Sequence, residues 1–341
     1  MKLLITGGCG FIGTNAAIYF SRKGWKIVVV DNLSRRGSEI NAALLLNKNN
    51  IKLFTNVDIV ERFARELILQ EKPDVIIHAA AQVAVTTSVK TPLFDFEVNA
   101  RGTLNMLEAV RSLAKKPIFI FTSTNKVYGE MENVSILEKP NRYEYEETPL
   151  GISESQNVDF HSPYGCSKGC ADQYVRDYFR IYGLPTIVFR QSCIYGMHQF
   201  GVVDQGWVSY LTMLALFGKP VTIYGNGKQV RDLLFMGDLN IAFDMAINCI
   251  NKTAGQIYNI GGGKDNAFSL IDFLNHLERV IKKKIDPIFS DWRPGDQKVY
   301  ISDIRKAKND FGWEPKINFD LGFSKMLNWI KDNEQVLKKF V

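Results

Sequence analysis

A short apolar run, Leu3-Leu4-Ile5-Thr6, passes directly into Gly7-Gly8-Cys9-Gly10-Phe11-Ile12-Gly13, and a helical pattern follows from Phe11 to Lys23. Few folds accept this order. Gly7 permits a tight turn, Gly10 lets backbone approach a pyrophosphate, and Gly13 lets the helix pack closely on the strand. The helix start offers free N–H groups and a partial positive charge to an anion. The spacing G-x-x-G-x-x-G differs from the older G-x-G-x-x-G fingerprint. It gains meaning from the strand before it, the helix after it and an acid ending the next strand. Asp31 is that acid, closing the run Lys26 to Val30. A carboxylate there accepts both ribose hydroxyls of an adenosine and repels a 2′-phosphate, which favours NAD over NADP. Arg35 and Arg36 follow and soften that repulsion. Asp58 either reaches the adenine or caps the helix beginning near Val60.

The rest of the first half repeats the rhythm. Asp74 to His78, Pro117 to Thr122 and Thr186 to Arg190 are nearly all apolar, as in a parallel sheet covered on both faces. Helical patterns at about 60–71, 93–113 and 164–182 lie between them. The expected fold class is α/β, a Rossmann-type doubly wound parallel sheet. After Arg190 the strands shorten and Gly225-Asn226-Gly227 and Gly261-Gly262-Gly263 punctuate the chain. Further helical patterns fall near 205–217, 237–251, 270–281 and 319–329. We expect an NAD-binding domain over 1–190 and a smaller mixed substrate lobe over 191–341, interleaved with the first. The polar stretch 130–162 reads as an excursion over an active site.

Composition removes other classes. No stretch reaches the roughly 18 to 20 apolar residues of a membrane helix. The five cysteines are odd in number and Cys166/Cys170 lack a second Cys/His pair, so they read as reduced thiols of a cytoplasmic protein, with no metal site. The net charge of +6 is mild for 341 residues, and the densest basic run, Lys282-Lys283-Lys284, reads as a solvated helix end. Neither nucleic acid nor membrane is implied as a partner.

Tyr164 and Lys168 stand four apart at the start of a long helix, on one face. A cation beside a phenol favours phenolate and brings its ordinary pKa near 10 toward neutrality, making a usable base. Thr122-Ser123-Thr124 ends a parallel strand, where ligands of α/β sheets bind, so a hydroxyl there can hold a substrate hydroxyl beside Tyr164.

The glycine cradle, Asp31, His78-Ala79-Ala80-Ala81, Asn99, Thr124 and Tyr164/Lys168 together resemble the extended short-chain dehydrogenase/reductases acting on nucleotide sugars, over essentially the whole chain. The resemblance implies that Tyr164 is the catalytic acid and base, that Lys168 holds it and the nicotinamide ribose, and that Thr124 orients the sugar. On the cofactor side it implies Gly7, Gly10, Phe11, Ile12, Gly13, Asp31, Asn32, Ser34, Arg35, Asp58, Ile59, Ala79, Ala80, Ala81 and Asn99. On the substrate side it implies Gln82, Asn125, His161, Gln199, Phe200, Gln205, and an Arg231/Arg293 clamp on the diphosphate. His161 either touches the sugar or stabilises its loop, and His78 is structural. Cys166 and Cys193 are packing thiols.

The related 4,6-dehydratases carry an Asp-Glu pair after the threonine, where this chain has Asn125-Lys126. That substitution argues against elimination of water. The implied activity is an NAD-dependent inversion at C2 of a CDP-linked hexose by transient oxidation to a 2-keto sugar, with NAD tightly bound and regenerated each turnover. Two other readings stand beside it: a 4-epimerase of a UDP-sugar, and a non-enzymatic NAD-binding regulator. A homodimer or homotetramer is expected, paired through helices near 98–113 and 164–182.

Overall fold

The computed structural model describes residues 1–293 and 295–341. Seven strands form one sheet: β1 (Lys2–Thr6), β2 (Lys26–Val30), β3 (Ile51–Phe54), β4 (Val75–His78), β5 (Ile118–Thr124), β6 (Thr186–Gln191) and β7 (Ile257–Ile260). Their order is β7-β6-β5-β4-β1-β2-β3, and every pairing is parallel. The order reverses between β1 and β4, so a crevice opens beyond the carboxyl ends of these two strands.

Helices cover both faces, which explains the continuous apolar runs. On one face Leu3 and Ile5 pack with Ala16 and Phe20 of α1 (Phe11–Arg22) and Leu45 of α2 (Ser38–Leu46). On the other, Leu4 and Ile76 meet Leu67 of α3 (Arg62–Glu71), Met106 and Val110 of α4 (Gly102–Ser112), and Val175 of α5 (Ser162–Tyr182). Each such aliphatic side chain contributes about 1.5–3 kcal/mol on burial.

Two expectations change, the unbroken helix over 93–113 and the excursion over the active site, while the interleaving of the lobes takes a definite form. The helix expected over 93–113 is broken into Pro92–Phe96, a widened turn over Glu97–Arg101, and α4. Gly102 sits against Ile59, where a Cβ would lie 2.7 Å from a methyl. The chain also recrosses the sheet: β7 pairs with β6, while Phe243 of α6 (Met236–Asn248) stacks on Phe189 of β6 and Trp313 enters the same core. A division at residue 190 would leave β6 an open edge and strip that face.

The stretch 130–162 forms a hairpin, Ile136–Glu138 with Tyr143–Tyr145. It builds its own small core with Val127, Tyr128 and Tyr300 instead of covering the clefts. Its aromatic residues bury themselves locally, and none of its described residues lines either cleft.

The remaining segments form a smaller lobe. Val230–Phe235 is flanked by Cys193–Tyr195, Ala267–Ser269 and Val299–Tyr300, over a core of Leu211, Phe273, Phe319 and Phe323. Ser269 and Asp272 form a reciprocal cap that starts the helix Leu270–Ile281. Among the described residues no helix is long and apolar enough to cross a membrane.

Candidate active site

Two clefts meet at the carboxyl end of the sheet. The first, about 310 Å³, follows the glycine turn; the second, about 370 Å³, lies between the sheet and the smaller lobe. Phe11, Ile12, Ala79, Ala81, Gln199 and Gln205 border both.

The first cleft is mostly backbone. Gly7 has φ +65°, and a Cβ on it would lie 2.6 Å from the Ala80 nitrogen. A Cβ on Gly13 would come within 2.3 Å of the Gly7 carbonyl oxygen, so only glycine lets α1 approach β1 this closely. Gly8 is equally confined, by Val29 at 2.5 Å, a constraint outside the triplet at 7, 10 and 13. Gly10 precedes α1, no described side chain caps it, and no acidic residue occupies the first turn. The exposed N–H groups and helix dipole therefore suit an anionic diphosphate.

Asp31 is buried. Its carboxylate accepts from the Cys9 amide at 2.9 Å and the Leu33 amide at 2.8 Å, so it also braces the turn. Burial pushes its pKa up and these amides pull it back. Asn32, Ser34, Arg35, Asp58, Ile59, Ala79, Ala80 and Ala81 all line this cleft. Asp58 accepts from the Val60 amide at 3.0 Å and from Asn32 at 3.0 Å; α3 starts only at Arg62, so Asp58 braces the turn before the helix and does not cap it. Arg35 reaches across to Gln205, 2.9 Å away. These features fit a dinucleotide with free ribose hydroxyls.

Four positions fall elsewhere than expected. Asn99 lines neither cleft. The widened turn rolls it inward, where it bonds Gln82, Asp95 and Ser167 and ties that turn to α5. Gln82, assigned to substrate, shares this polar knot and faces the first cleft. Phe200, also assigned to substrate, packs against Gly37, Trp329 and Phe340 beside the first cleft. His161 is half exposed, 3.6 Å from Glu130, and outside both clefts. Its ring lies against Gly295, 3.0 Å from where a Cβ there would sit.

The second cleft gathers distant side chains. β5 delivers Thr124, and α5 delivers Tyr164 and Lys168, to one wall. Ser123 and Arg190 both bond the buried Asp172 of α5, fixing helix to sheet. Lys168 donates to the Thr122 carbonyl at 2.7 Å and lies 4.1 Å from the Phe121 ring centroid. Burial lowers it to about 7, partly offset by Asp172 and Asp95. Burial pushes Tyr164 up to about 12; Thr124 and Arg35 draw it down, and Asp95 raises it. The expectation that Lys168 lowers Tyr164 is therefore not met in this state. Desolvation disfavours phenolate and ammonium alike, and Arg35 is the cation acting on the phenol.

His78 is fully buried, 2.6 Å from Thr6 and 3.0 Å from Thr103, and burial holds it neutral at about 3. Cys193 lines the second cleft, accepts from Trp207, and is pushed up by burial, so it stays a thiol. Cys166 is exposed and does not pack in the core.

Arg231 and Arg293 both face the second cleft. Arg231 pairs with Asp296 at 2.6 Å, while Arg293 lies over the Tyr224 ring at 3.8 Å and 3.8 Å from Asp204. Pro294, between Arg293 and Gly295, lies outside the described residues. Asn125, Gln199 and Gln205 line this cleft as expected. Tyr224, Gln191, Gln229 and Asp296 join them unforeseen. Gln191 Nε2, Gln199 Oε1 and Gln229 Oε1 are buried without a partner among the described residues. Such orphans at one cleft mark a wall built to bond something polar. The Arg293-to-Asp296 motif could have flagged Asp296; no local pattern flags the glutamines.

This architecture is that of a dinucleotide-binding α/β enzyme fold with a second ligand cleft at the switch point. The chain belongs to the extended short-chain dehydrogenase/reductases, in the family described as GDP-mannose 4,6 dehydratase, which matches residues 4–326. It is 44% identical to a CDP-paratose 2-epimerase of Salmonella typhi, over 96% of this chain and 99% of that one. Among solved structures it resembles a UDP-glucose 4-epimerase of Thermotoga maritima with UDP-glucose, at a TM-score of 0.84 and 29% identity, covering 98% and 100% of the two chains. A UDP-glucuronic acid 4-epimerase of Bacillus cereus, solved with UDP-glucuronic acid and NAD, matches at a TM-score of 0.84 and 26% identity, covering 97% and 99%.

Proposed function

We propose that this protein is an NAD-dependent epimerase that inverts C2 of a CDP-linked hexose, CDP-paratose to CDP-tyvelose or a close analogue. The observation that carries it is Thr124 and Tyr164 together on one wall of the second cleft, followed by Asn125 and Lys126 where a dehydratase needs a carboxyl acid and base. The likeness to the Salmonella typhi epimerase over nearly the whole chain supports the choice of C2 and CDP.

The glycine turn, Asp31 and the α1 N-terminus would hold NAD, which when bound supplies a hydride acceptor and donor. Thr124 orients the C2 hydroxyl. Tyr164 takes its proton as C2 becomes a ketone and returns a proton after the opposite face is reduced. The phenol sits at about 12 without ligands, so it needs added positive charge nearby before it acts as a base. Lys168, beneath it, holds the ribose. Arg231 and Arg293 bind the diphosphate, a task suited to bidentate guanidinium groups. The net reaction is redox neutral, so NAD stays bound.

Exposed Leu93, Phe94, Phe96, Ile181 and Tyr182 lie on or beside the helices expected to pair. We assign them to a homodimer interface, checked by light scattering. The reaction is tested by incubating CDP-, UDP-, GDP- and dTDP-hexoses with the protein and following products by NMR. A CDP-hexose inverted at C2, with deuterium at C2 retained, is expected. Inversion at C4 of a UDP-sugar would replace this reading with a 4-epimerase; no turnover of any would favour an NAD-binding regulator.

A further inference from the structure

Thr124 closes β5, and a single helical turn, Asn125–Tyr128, begins immediately after it. The Thr124 hydroxyl accepts from the Lys126 amide at 3.2 Å and fixes that turn. Both side chains then point toward one segment of the smaller lobe. Lys126 Nζ donates to the Gly295 carbonyl at 2.8 Å and lies 3.7 Å from Asp296. Asn125 donates to the Gln297 side chain at 3.2 Å, and Gln297 donates to the Gly129 carbonyl at 2.6 Å. The turn that follows the catalytic threonine is thus stitched to residues 295–297.

That segment adjoins Arg293 and carries the counterion of Arg231. Burial pushes the Asp296 carboxyl up, and Arg231, Lys126 and Arg293 together outweigh it and hold it below its ordinary value. This corner sets three cations against two carboxylates, Asp296 and Asp204, leaving one surplus positive charge at the wall. Resting on the reading above, we propose that Lys126, aided by Asn125, is a positioning residue that seats residues 295–297 so that Arg231 and Arg293 are preset for the substrate diphosphate. The positions that would transfer protons in a dehydratase here hold the phosphate-binding wall in place. A preset wall avoids ordering that segment at each binding event, and that shows as affinity.

Burial brings Lys126 to about 8, with Asp296 favouring its charge and Arg231 opposing it. Its proton, and the seat with it, is lost as pH rises past that value.

The test is calorimetric titration of the NAD-loaded protein with CDP, alongside steady-state kinetics on the CDP-hexose. Lys126→Met should weaken CDP about tenfold, or about 1.4 kcal/mol, and raise KM similarly, with kcat within about threefold. Lys126→Arg, which keeps charge and donor, should restore most of the loss. Asn125→Ala should weaken CDP about threefold. CDP affinity of the wild type should fall between pH 7 and 9, and that of Lys126→Arg should not. Melting curves and NAD content confirm that each variant is folded. A hundredfold fall in kcat with CDP affinity unchanged would place Lys126 in the chemical step and overturn the proposal, as would a Met variant that binds CDP normally. UDP, GDP and dTDP are titrated in parallel. If one of them binds best, the CDP reading falls, and the same variants decide the positioning role on that diphosphate.

Discussion

The two clefts are built by different means. The first is made mostly of backbone from the early chain: a glycine turn, a helix start and the ends of β1, β2 and β4, closed on one side by residues 198–200 and 205. The second is made of side chains brought from residues near 124, 164, 191, 229 and 293, on both lobes. A backbone site tolerates little change, because a methyl group at Gly7 or Gly13 collides with main chain. A side-chain site can be retuned one residue at a time. The family's shared cofactor and varied substrates follow from that division of labour.

Tyr164 stands on the wall of the second cleft alone, so its removal should separate the tasks of the two. Tyr164→Phe should lower turnover by about 10²–10⁴-fold, while NAD released on denaturation stays near one per chain; full activity would remove the phenol from the mechanism. Gly13→Ala tests the backbone cleft. Overpacking of this kind costs about 1–3 kcal/mol, read by denaturant unfolding, and should abolish NAD retention; a variant that keeps both would show that the turn can yield.

His78 lies beneath the wall of both clefts. Its native pKa, about 3, is below the ordinary value near 6.5, so the unfolded chain binds the extra proton as pH falls. Stability is therefore lost on acidification below about 6.5. At pH 5 the loss from this group is about 2 kcal/mol, and a His78→Gln variant should show a smaller difference between pH 7 and pH 5. Equal differences would mean that His78 does not report on the wall. Arg293→Gln should raise the KM for the nucleotide sugar about tenfold and leave NAD content unchanged; a fall in NAD content would show that the clefts are coupled through this loop.

The same division explains what could be read in advance. The strand–glycine–helix order, Asp31 and the pairing of Tyr164 with Lys168 are local patterns, and the structure places them at the clefts. Gln191, Gln229 and Tyr224 reach theirs through long-range packing that leaves no local periodicity. Asn99 looks like a wall residue in sequence, yet the widened turn at 97–101 rotates it into a polar knot with Asp95 and Gln82, and Gln82 faces the first cleft instead of the second. The aromatic-rich hairpin within 130–162 was legible as irregular and polar, but its own small core keeps it away from the clefts.

The late arrival of β7 has a consequence for how the chain is made. Synthesis runs from the N-terminus, and domains generally fold as units as they emerge. A nascent chain that ends near residue 200 holds six strands with β6 unpaired on its outer side, and lacks Phe243 and Trp313 over the sheet. The cofactor half therefore reaches its final form only after residue 313 has left the ribosome. Until then an open strand edge and an uncovered apolar face are the nascent chain's exposure to aggregation and its natural point of contact with chaperones.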